Sequence, residues 1–214
     1  MVSLCIFDLD GTLINTIEDL ADSTNYVLEQ HGMKTFPTEQ YYYFVGNGMV
    51  KLMERVTGLS PETGQFQQLY SEMLERYSQH SMDKTKPYHG MPETLTQLTQ
   101  LGIECAVLSN KDDQFVETLM ERCFPKIQFA KLLGKRAEFP VKPDPASLRF
   151  LMESLKKTPQ ECIYIGDSDV DVMTAHNGGL QCIGAEWGFR GRQELMDAGA
   201  DFLAENPIDI LQFV

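Results

Sequence analysis

Four short apolar runs, at residues 4–7, 103–108, 162–165 and 181–184, alternate with longer stretches of helical period. That alternation narrows the possible folds more than any other feature of the chain. A strand that passes through a helix into another strand of the same sheet becomes a parallel strand of that sheet, so an α/β architecture with a parallel sheet and crossover helices is expected. Leu95, Leu98 and Leu101 form one helix face, opened by Pro92 and closed by Gly102. Phe115, Leu119 and Met120 mark a second helix, and Leu148, Leu151, Met152 and Leu155 a third, between Pro145 and Pro159.

Residues 15–84 break this pattern, offering helices and no convincing strand. Ile17, Leu20, Ala21, Thr24, Val27 and Leu28 form one apolar stripe, and Phe66, Leu69, Tyr70, Met73, Leu74 and Tyr77 form another that can pack on it. Between them Val45-Gly46-Asn47-Gly48 interrupts the helical period, which Met49, Val50, Leu52, Met53 and Val56 resume. The expected organisation is a helical cap over residues 15–84, inserted into a core of residues 1–14 and 85–214. The aromatic run Tyr41-Tyr42-Tyr43-Phe44 is read as core and domain-contact packing.

Composition bears on partners. Against 31 acidic residues stand 18 basic ones, a net charge of −13 that repels phosphate backbones and anionic lipids, so neither a nucleic-acid nor a membrane partner is expected. A small anionic substrate needs local positive charge to overcome that field. No apolar stretch approaches the roughly 18–20 residues that span a bilayer, and residues 1–9 lack the basic start and cleavage site of a secretory signal. A cytoplasmic location is expected. Cys5, Cys105, Cys162 and Cys182 each lie in an apolar run without Cys-x-x-Cys spacing, and Cys123 is placed at a helix end. Free thiols fit this usage better than zinc or disulfides.

The first apolar run ends in Asp8-Leu9-Asp10-Gly11-Thr12. Acids two positions apart on extended chain share a face, and the carboxyl end of a central parallel strand is where open α/β sheets bind ligands. A calcium loop starting at Asp8 is excluded, because its turn glycine would fall at Leu13 and its bidentate glutamate at Asp19. The run at 162–165 ends in Gly166-Asp167-Ser168-Asp169-Val170-Asp171. If the two strands are neighbours, Asp167 and Asp171 face Asp8 and Asp10 and form an oxygen-rich site for a hard cation such as Mg²⁺. Asp169 is left as a capping or solvated acid. Ser109-Asn110-Lys111 offers a hydroxyl and backbone N–H groups at the mouth of a helix, and Lys142-Pro143 aims an ammonium inward. Two acid clusters, a hydroxyl and a lysine at successive loops describe metal-assisted phosphoryl transfer. His31, His80, His89 and His176 show no ligand spacing.

These residues resemble the four motifs of the haloacid dehalogenase superfamily, namely Asp8-Leu9-Asp10-Gly11-Thr12, Ser109-Asn110, Lys142-Pro143, and Gly166-Asp167-Ser168 with Asp171. They occur in family order and span essentially the full chain. The resemblance implies a Rossmann-like core with an α-helical cap inserted after the first motif. It implies that Asp8 is the nucleophile, that Asp10 is the acid and base, and that Mg²⁺ is held by Asp8, the Asp10 carbonyl, Asp167 and Asp171. Ser109, the Asn110 N–H and Lys142 would bind the phosphoryl oxygens. The dehalogenases lack an aspartate at the position of Asp10, which favours a phosphate ester, and β-phosphoglucomutases carry a histidine where this chain has Leu20, which favours hydrolysis.

Val45-Gly46-Asn47-Gly48, Leu52-Met53-Glu54-Arg55 and Trp187-Gly188-Phe189-Arg190 look most like phosphoglycolate phosphatases and similar small-molecule phosphatases. Asn15, where that group usually carries aspartate, and Asn177-Gly178 depart from the pattern. The expected partner is a small phosphorylated metabolite, with phosphoglycolate leading. A sugar-phosphate phosphatase or phosphomutase is the alternative, and a non-catalytic phosphate-binding regulator the third reading. Gly46, Asn47 and Gly48 would bring cap backbone to the substrate or form a plain turn. Lys51 and Arg55 share a helix face and would meet a substrate carboxylate or stay solvated. Trp187 is expected between core and cap, with Arg190 contacting either substrate or cap. Monomer and homodimer are both compatible with the sequence.

Overall fold

The structure is a computed structural model that describes residues 1–214. Strand β1 (Leu4–Phe7) is followed by the two-residue strand β2 (Ile14–Asn15), which pairs antiparallel with β3 (Lys86–Pro87). Between β2 and β3 lie four helices, α1 (Ile17–Gln30), α2 (Thr38–Phe44), α3 (Met49–Thr57) and α4 (Gly64–His80). Beyond β3 the chain alternates through α5 (Met91–Gln100), β4 (Glu104–Asp112), α6 (Asp113–Cys123), β5 (Lys131–Lys135), α7 (Ala146–Ser154), β6 (Cys162–Gly166), α8 (Asp169–Gly178), β7 (Gln181–Ala185), α9 (Gly191–Ala198) and β8 (Phe202–Ala204). The six longer strands form one parallel sheet in the order β5-β4-β1-β6-β7-β8. This is a Rossmann-like α/β core carrying an inserted helical cap. No helix is long and apolar enough to cross a membrane.

The strand order explains the position of the crevice. From β1 the sheet grows through β4 and β5 on one side and through β6, β7 and β8 on the other. The carboxyl ends of β4, β1 and β6 therefore meet at the point where the connections diverge, the place where such sheets leave room for a ligand. Side-chain alternation along β1 divides the core. Cys5 and Phe7 pack with Leu95 and Leu98 of α5 and Val116 and Leu119 of α6, whereas Leu4 and Ile6 pack with α7, α8 and Leu195 of α9.

The helical stripes of the insertion pack as their spacing requires. Ile17, Leu20, Ala21, Thr24, Val27 and Leu28 of α1 are all buried, as are Phe66, Leu69, Met73 and Tyr77 of α4. At the neck, Asp19 on α1 is 2% exposed and accepts N–H bonds from Lys84 at 3.0 and 3.1 Å and from Thr85 at 2.8 Å. A buried carboxylate thus fixes the point where the chain returns to the core.

Several local expectations are corrected. The run at 103–108 begins its strand at Glu104 and continues to Asp112, carrying Ser109, Asn110 and Lys111 into β4. Strands β5 and β8 were not expected. β5 carries lysines at both ends and a glycine within, and β8 has three residues, so neither shows the alternating pattern of a half-buried strand. The two-residue pair β2–β3 is likewise too short to read. Leu101 leaves the apolar face of its helix: α5 ends at Gln100, and Leu101 is 65% exposed. Cys5, Cys105, Cys162 and Cys182 are buried free thiols, and Cys123 is the last residue of α6.

Removing the Asp19 carboxylate would orphan the N–H groups of Lys84 and Thr85 beneath the cap. Asp19→Ala is expected to cost about 2–4 kcal/mol in urea unfolding, the scale for losing buried bonds to a charged acceptor, with Asp19→Asn intermediate. A loss below about 0.5 kcal/mol would mean that the neck is held by other contacts.

Candidate active site

Asp8 follows β1 directly and extends the sheet, its N–H donating to the Ile165 carbonyl at 2.9 Å. Because Phe7 pairs with Ile165 and with Val107, the residues just beyond these strands emerge side by side. Asp8, Asp167 and Asp171 are buried, and each can present one carboxylate oxygen so that the three atoms lie within 4.8 Å of one another. Close approach of the backbone makes this possible. Gly11 has φ +90°, and a β-carbon there would sit 2.3 Å from the Asp167 carboxylate. A β-carbon at Gly166 would sit 2.2 Å from Asp171.

Lys142 closes the cluster, its Nζ 2.8 Å from both Asp8 and Asp171. It also donates to the Leu108 carbonyl at 3.2 Å and the Tyr164 hydroxyl at 3.0 Å. Asn110 holds the backbone of Lys142 at both ends of its amide, Lys142 N–H donating to Asn110 Oδ1 at 2.8 Å and Asn110 Nδ2 donating to the Lys142 carbonyl at 3.2 Å. Asp171, in the first turn of α8, accepts from Ser168 N–H at 3.2 Å and Ser168 Oγ at 2.7 Å. Asp167 accepts from Phe189 N–H at 2.7 Å and from Thr12 Oγ1 at 3.3 Å. Asp169 accepts from the Val170 N–H at the same helix start and stands outside the cluster.

The Asp10 carboxylate stands apart from those three. It accepts Thr16 Oγ1 at 2.7 Å and meets Lys111 Nζ at 2.9 and 3.1 Å. Lys111 is the site residue that the sequence reading passed over. It was seen only as the neighbour of Ser109-Asn110, although the extension of β4 buries its side chain to 1% exposure. Ser109 Oγ accepts the Lys111 N–H at 3.2 Å. Asn15 Oδ1 accepts the Ile17 N–H at 3.2 Å and takes no part in the acid cluster.

A narrow cleft opens beside Asp8, Asp10 and Lys111 and is walled by Leu20, Val45, Gly46, Gly48, Met49 and Leu52 from the insertion. The Gly46 carbonyl accepts from Asn110 Nδ2 at 3.1 Å, and the Val45 carbonyl from Arg190 at 3.1 Å. Asn47 lies behind this lining, bound by Arg55 at 2.7 Å. Arg55 also donates to the Phe44 carbonyl, and Lys51 is exposed and paired with Glu54, so both cations lie outside the cleft. Trp187 Nε1 donates to the Thr12 carbonyl at 2.9 Å, and Arg190 lies over the Tyr43 ring.

Charge in the cluster is unbalanced. Asp8, Asp167 and Asp171 face only Lys142, leaving an excess of two negative charges when all are ionised, while Asp10 is matched by Lys111. Burial pushes the Asp8 carboxyl up to about 7, with Lys142 opposing and Asp171 and Asp10 adding to the rise. Asp167 is held well above the carboxylate range by burial and by repulsion from Asp171 and Asp8. Burial works against the charge of Lys142, but Asp171 and Asp8 outweigh it and hold the ammonium protonated. An all-oxygen donor set with two surplus negative charges suits a hard divalent cation.

Residues 5–185 match the sequence model of a family described as haloacid dehalogenase-like hydrolase. A phosphoglycolate phosphatase of Mannheimia succiniciproducens is 29% identical over 97% of this chain and 96% of its own length. One from Pseudomonas putida is 32% identical over 87% of this chain and 70% of its own length. The crystal structure of a predicted phosphoglycolate phosphatase from Haemophilus somnus superposes with a TM-score of 0.92 at 25% identity, covering 99% of this chain and 97% of the other. The chain belongs to the haloacid dehalogenase-like hydrolases. It is an enzyme of that family, and the relatives named here are phosphatases.

An ordinary aspartate releases its proton near 3.8, whereas folded Asp8 keeps it to about 7. The folded state therefore holds more protons than the unfolded state across that interval, and this contribution to stability, complete below about pH 4, is lost as pH rises towards 7. In the presence of a chelator, urea unfolding across this range should show the decline. Asp167→Asn removes one repelling charge and should flatten it, with a gain of about 1–3 kcal/mol at neutral pH. Identical pH profiles for the two proteins would show that the acids do not share one field.

Proposed function

We propose that this chain is a Mg²⁺-dependent phosphatase that hydrolyses a small phosphorylated metabolite, with 2-phosphoglycolate the leading candidate, through an aspartyl-phosphate on Asp8. The observation that carries the reading is the juxtaposition of Asp8 with Lys142 at 2.8 Å inside a triad of buried carboxylates. The names of relatives covering most of the chain support the substrate.

Asp8, the Asp10 carbonyl, Asp167 and Asp171 would hold Mg²⁺. When bound, the ion supplies the charge that lets an anionic carboxylate approach an anionic phosphate. Asp8 attacks phosphorus, the ester P–O bond breaks, and Asp10 gives its proton to the departing alkoxide. Asp10 then takes a proton from the water that attacks the acyl phosphate, releasing inorganic phosphate and restoring Asp8. Lys142 and Ser109 bind phosphoryl oxygens, and the rigid seat of Lys142 between Asn110 and Tyr164 orients its ammonium before the substrate arrives. Residues 15–84 act as a cap on a core of 1–14 and 85–214, hinged at 12–15 and 83–87, and Leu20, Met49 and Leu52 shield the reaction from water.

Phosphate release across a panel of phosphorylated metabolites, with Mg²⁺ or with EDTA, tests this reading. 2-Phosphoglycolate should be turned over fastest and EDTA should abolish turnover. Asp8→Asn should keep the circular dichroism of the parent protein and lose at least about 1,000-fold in kcat, the scale for removing a nucleophile. Retention of more than a tenth of the activity would rule Asp8 out as the nucleophile.

A further inference from the structure

We propose that the Lys111 ammonium is the subsite for a second anionic group, a carboxylate, on the phosphorylated substrate. The inference rests on the phosphatase reading and specifies how such an enzyme chooses its substrate. Any ester whose phosphorus meets Asp8 extends its remaining atoms into the cleft under Leu20, Met49 and Leu52. A carboxylate carried there enters an apolar, buried space in a molecule of net charge −13 and requires a cation within reach.

Lys111 is the one cation that lines this cleft. Lys142 is committed on every side, to Asp8, Asp171, the Leu108 carbonyl and the Tyr164 hydroxyl. Lys51 and Arg55 are engaged outside the cleft, and Arg190 is tied to the Val45 carbonyl. Lys111 has only one acidic partner, Asp10, which also accepts from Thr16. An ammonium has three N–H donors, and Asp10 occupies at most two. Beside it lies the fully buried Tyr77, its ring centroid 4.8 Å from Nζ and its side chain interacting with the ammonium. Lys111 thus brings the cleft its one cation, backed from outside the lining by the buried Tyr77. A substrate carboxylate entering the cleft would share this ammonium with Asp10.

The test compares 2-phosphoglycolate with 2-hydroxyethyl phosphate, in which the carboxylate is replaced by an uncharged alcohol. Binding is measured by calorimetry with Mg²⁺ in the Asp8→Asn background, which does not depend on turnover, and kinetics are measured in the Asp8-containing protein. Lys111→Met should weaken 2-phosphoglycolate by about 10- to 100-fold, the range for one charge-assisted contact, while weakening 2-hydroxyethyl phosphate by no more than about threefold. Lys111→Arg should retain part of the preference, and in turnover the loss should fall on KM for the acid more than on kcat. Equal losses for both esters would assign Lys111 to positioning Asp10 and overturn the proposal, as would an unchanged preference or binding of neither ester by the Lys111-containing protein. Absence of phosphate release with intact discrimination in binding would instead reject the phosphatase reading and leave the subsite standing.

Discussion

Repulsion among Asp8, Asp167 and Asp171, three buried carboxylates with one ligand oxygen apiece inside 4.8 Å, is the constraint around which the polar half of the molecule is organised. The parallel pairing of β1 with β6 delivers two of these acids to the same place, and the first turn of α8 adds the third. The three carboxylates are buried, so screening is weak and their charges must be met by fixed groups. Lys142 lies between two of the acids, and its own position is set by Asn110, Tyr164 and the Leu108 carbonyl. Glycine at 11 and 166 supplies the space that any side chain would take from the carboxylates. Removing Lys142 from this network would leave its acids uncompensated, whereas neutralising one acid relieves repulsion among the rest.

The same residues that organise the charge also hold the cap. Asn110 divides its side-chain amide between the Lys142 backbone and the Gly46 carbonyl of the insertion, so one side chain connects the phosphoryl pole to the loop above it. Arg190 grips the adjacent Val45 carbonyl, while Tyr42 packs on Phe189 and Tyr77 on Phe115 across the same junction. Asp19 secures the neck from the opposite side. These directed bonds and aromatic contacts add to a continuous apolar cluster that joins Phe7, Leu13 and Phe115 to Ile17, Leu20 and Tyr77 of the insertion.

The parts of the architecture legible in the sequence were those with a strong period or a close spacing. The buried strands β1 and β6 read as unbroken apolar runs, and the stripes of α1 and α4 at helical spacing foretold two packed helices between the first and second strands of the sheet. Acids placed directly after apolar runs located the carboxyl ends of β1 and β6. Lys111 was not legible because its meaning depends on β4 continuing beyond its apolar portion, a register set by pairing with β5 rather than by local preference. Edge strands β5 and β8 lack two-sided burial and so lack the pattern that burial imposes. The roles of Lys51 and Arg55 were open in the sequence because a shared helix face does not say what it faces; Arg55 is drawn to the carbonyls that end α2.

The two buried lysines divide the electrostatic work of the cleft. Lys142 is surrounded by Asp171, the Leu108 carbonyl and the Tyr164 hydroxyl, and on the proposed function it is the cation held beside Asp8 for the phosphoryl unit common to every ester. Lys111, paired with Asp10, lines the cleft where the insertion supplies the opposite wall. That wall is apolar and close: Leu20, Met49 and Leu52 offer no hydrogen bonds, and a β-carbon at Gly48 would already stand 3.1 Å from the Asn110 carbonyl. On the proposed function, a bulky or many-hydroxyl substrate would bury polar groups there without partners, a cost that a two-carbon acid would avoid by ending on Lys111. Selection in such a cleft works chiefly by leaving nothing for the wrong ligand to bond to.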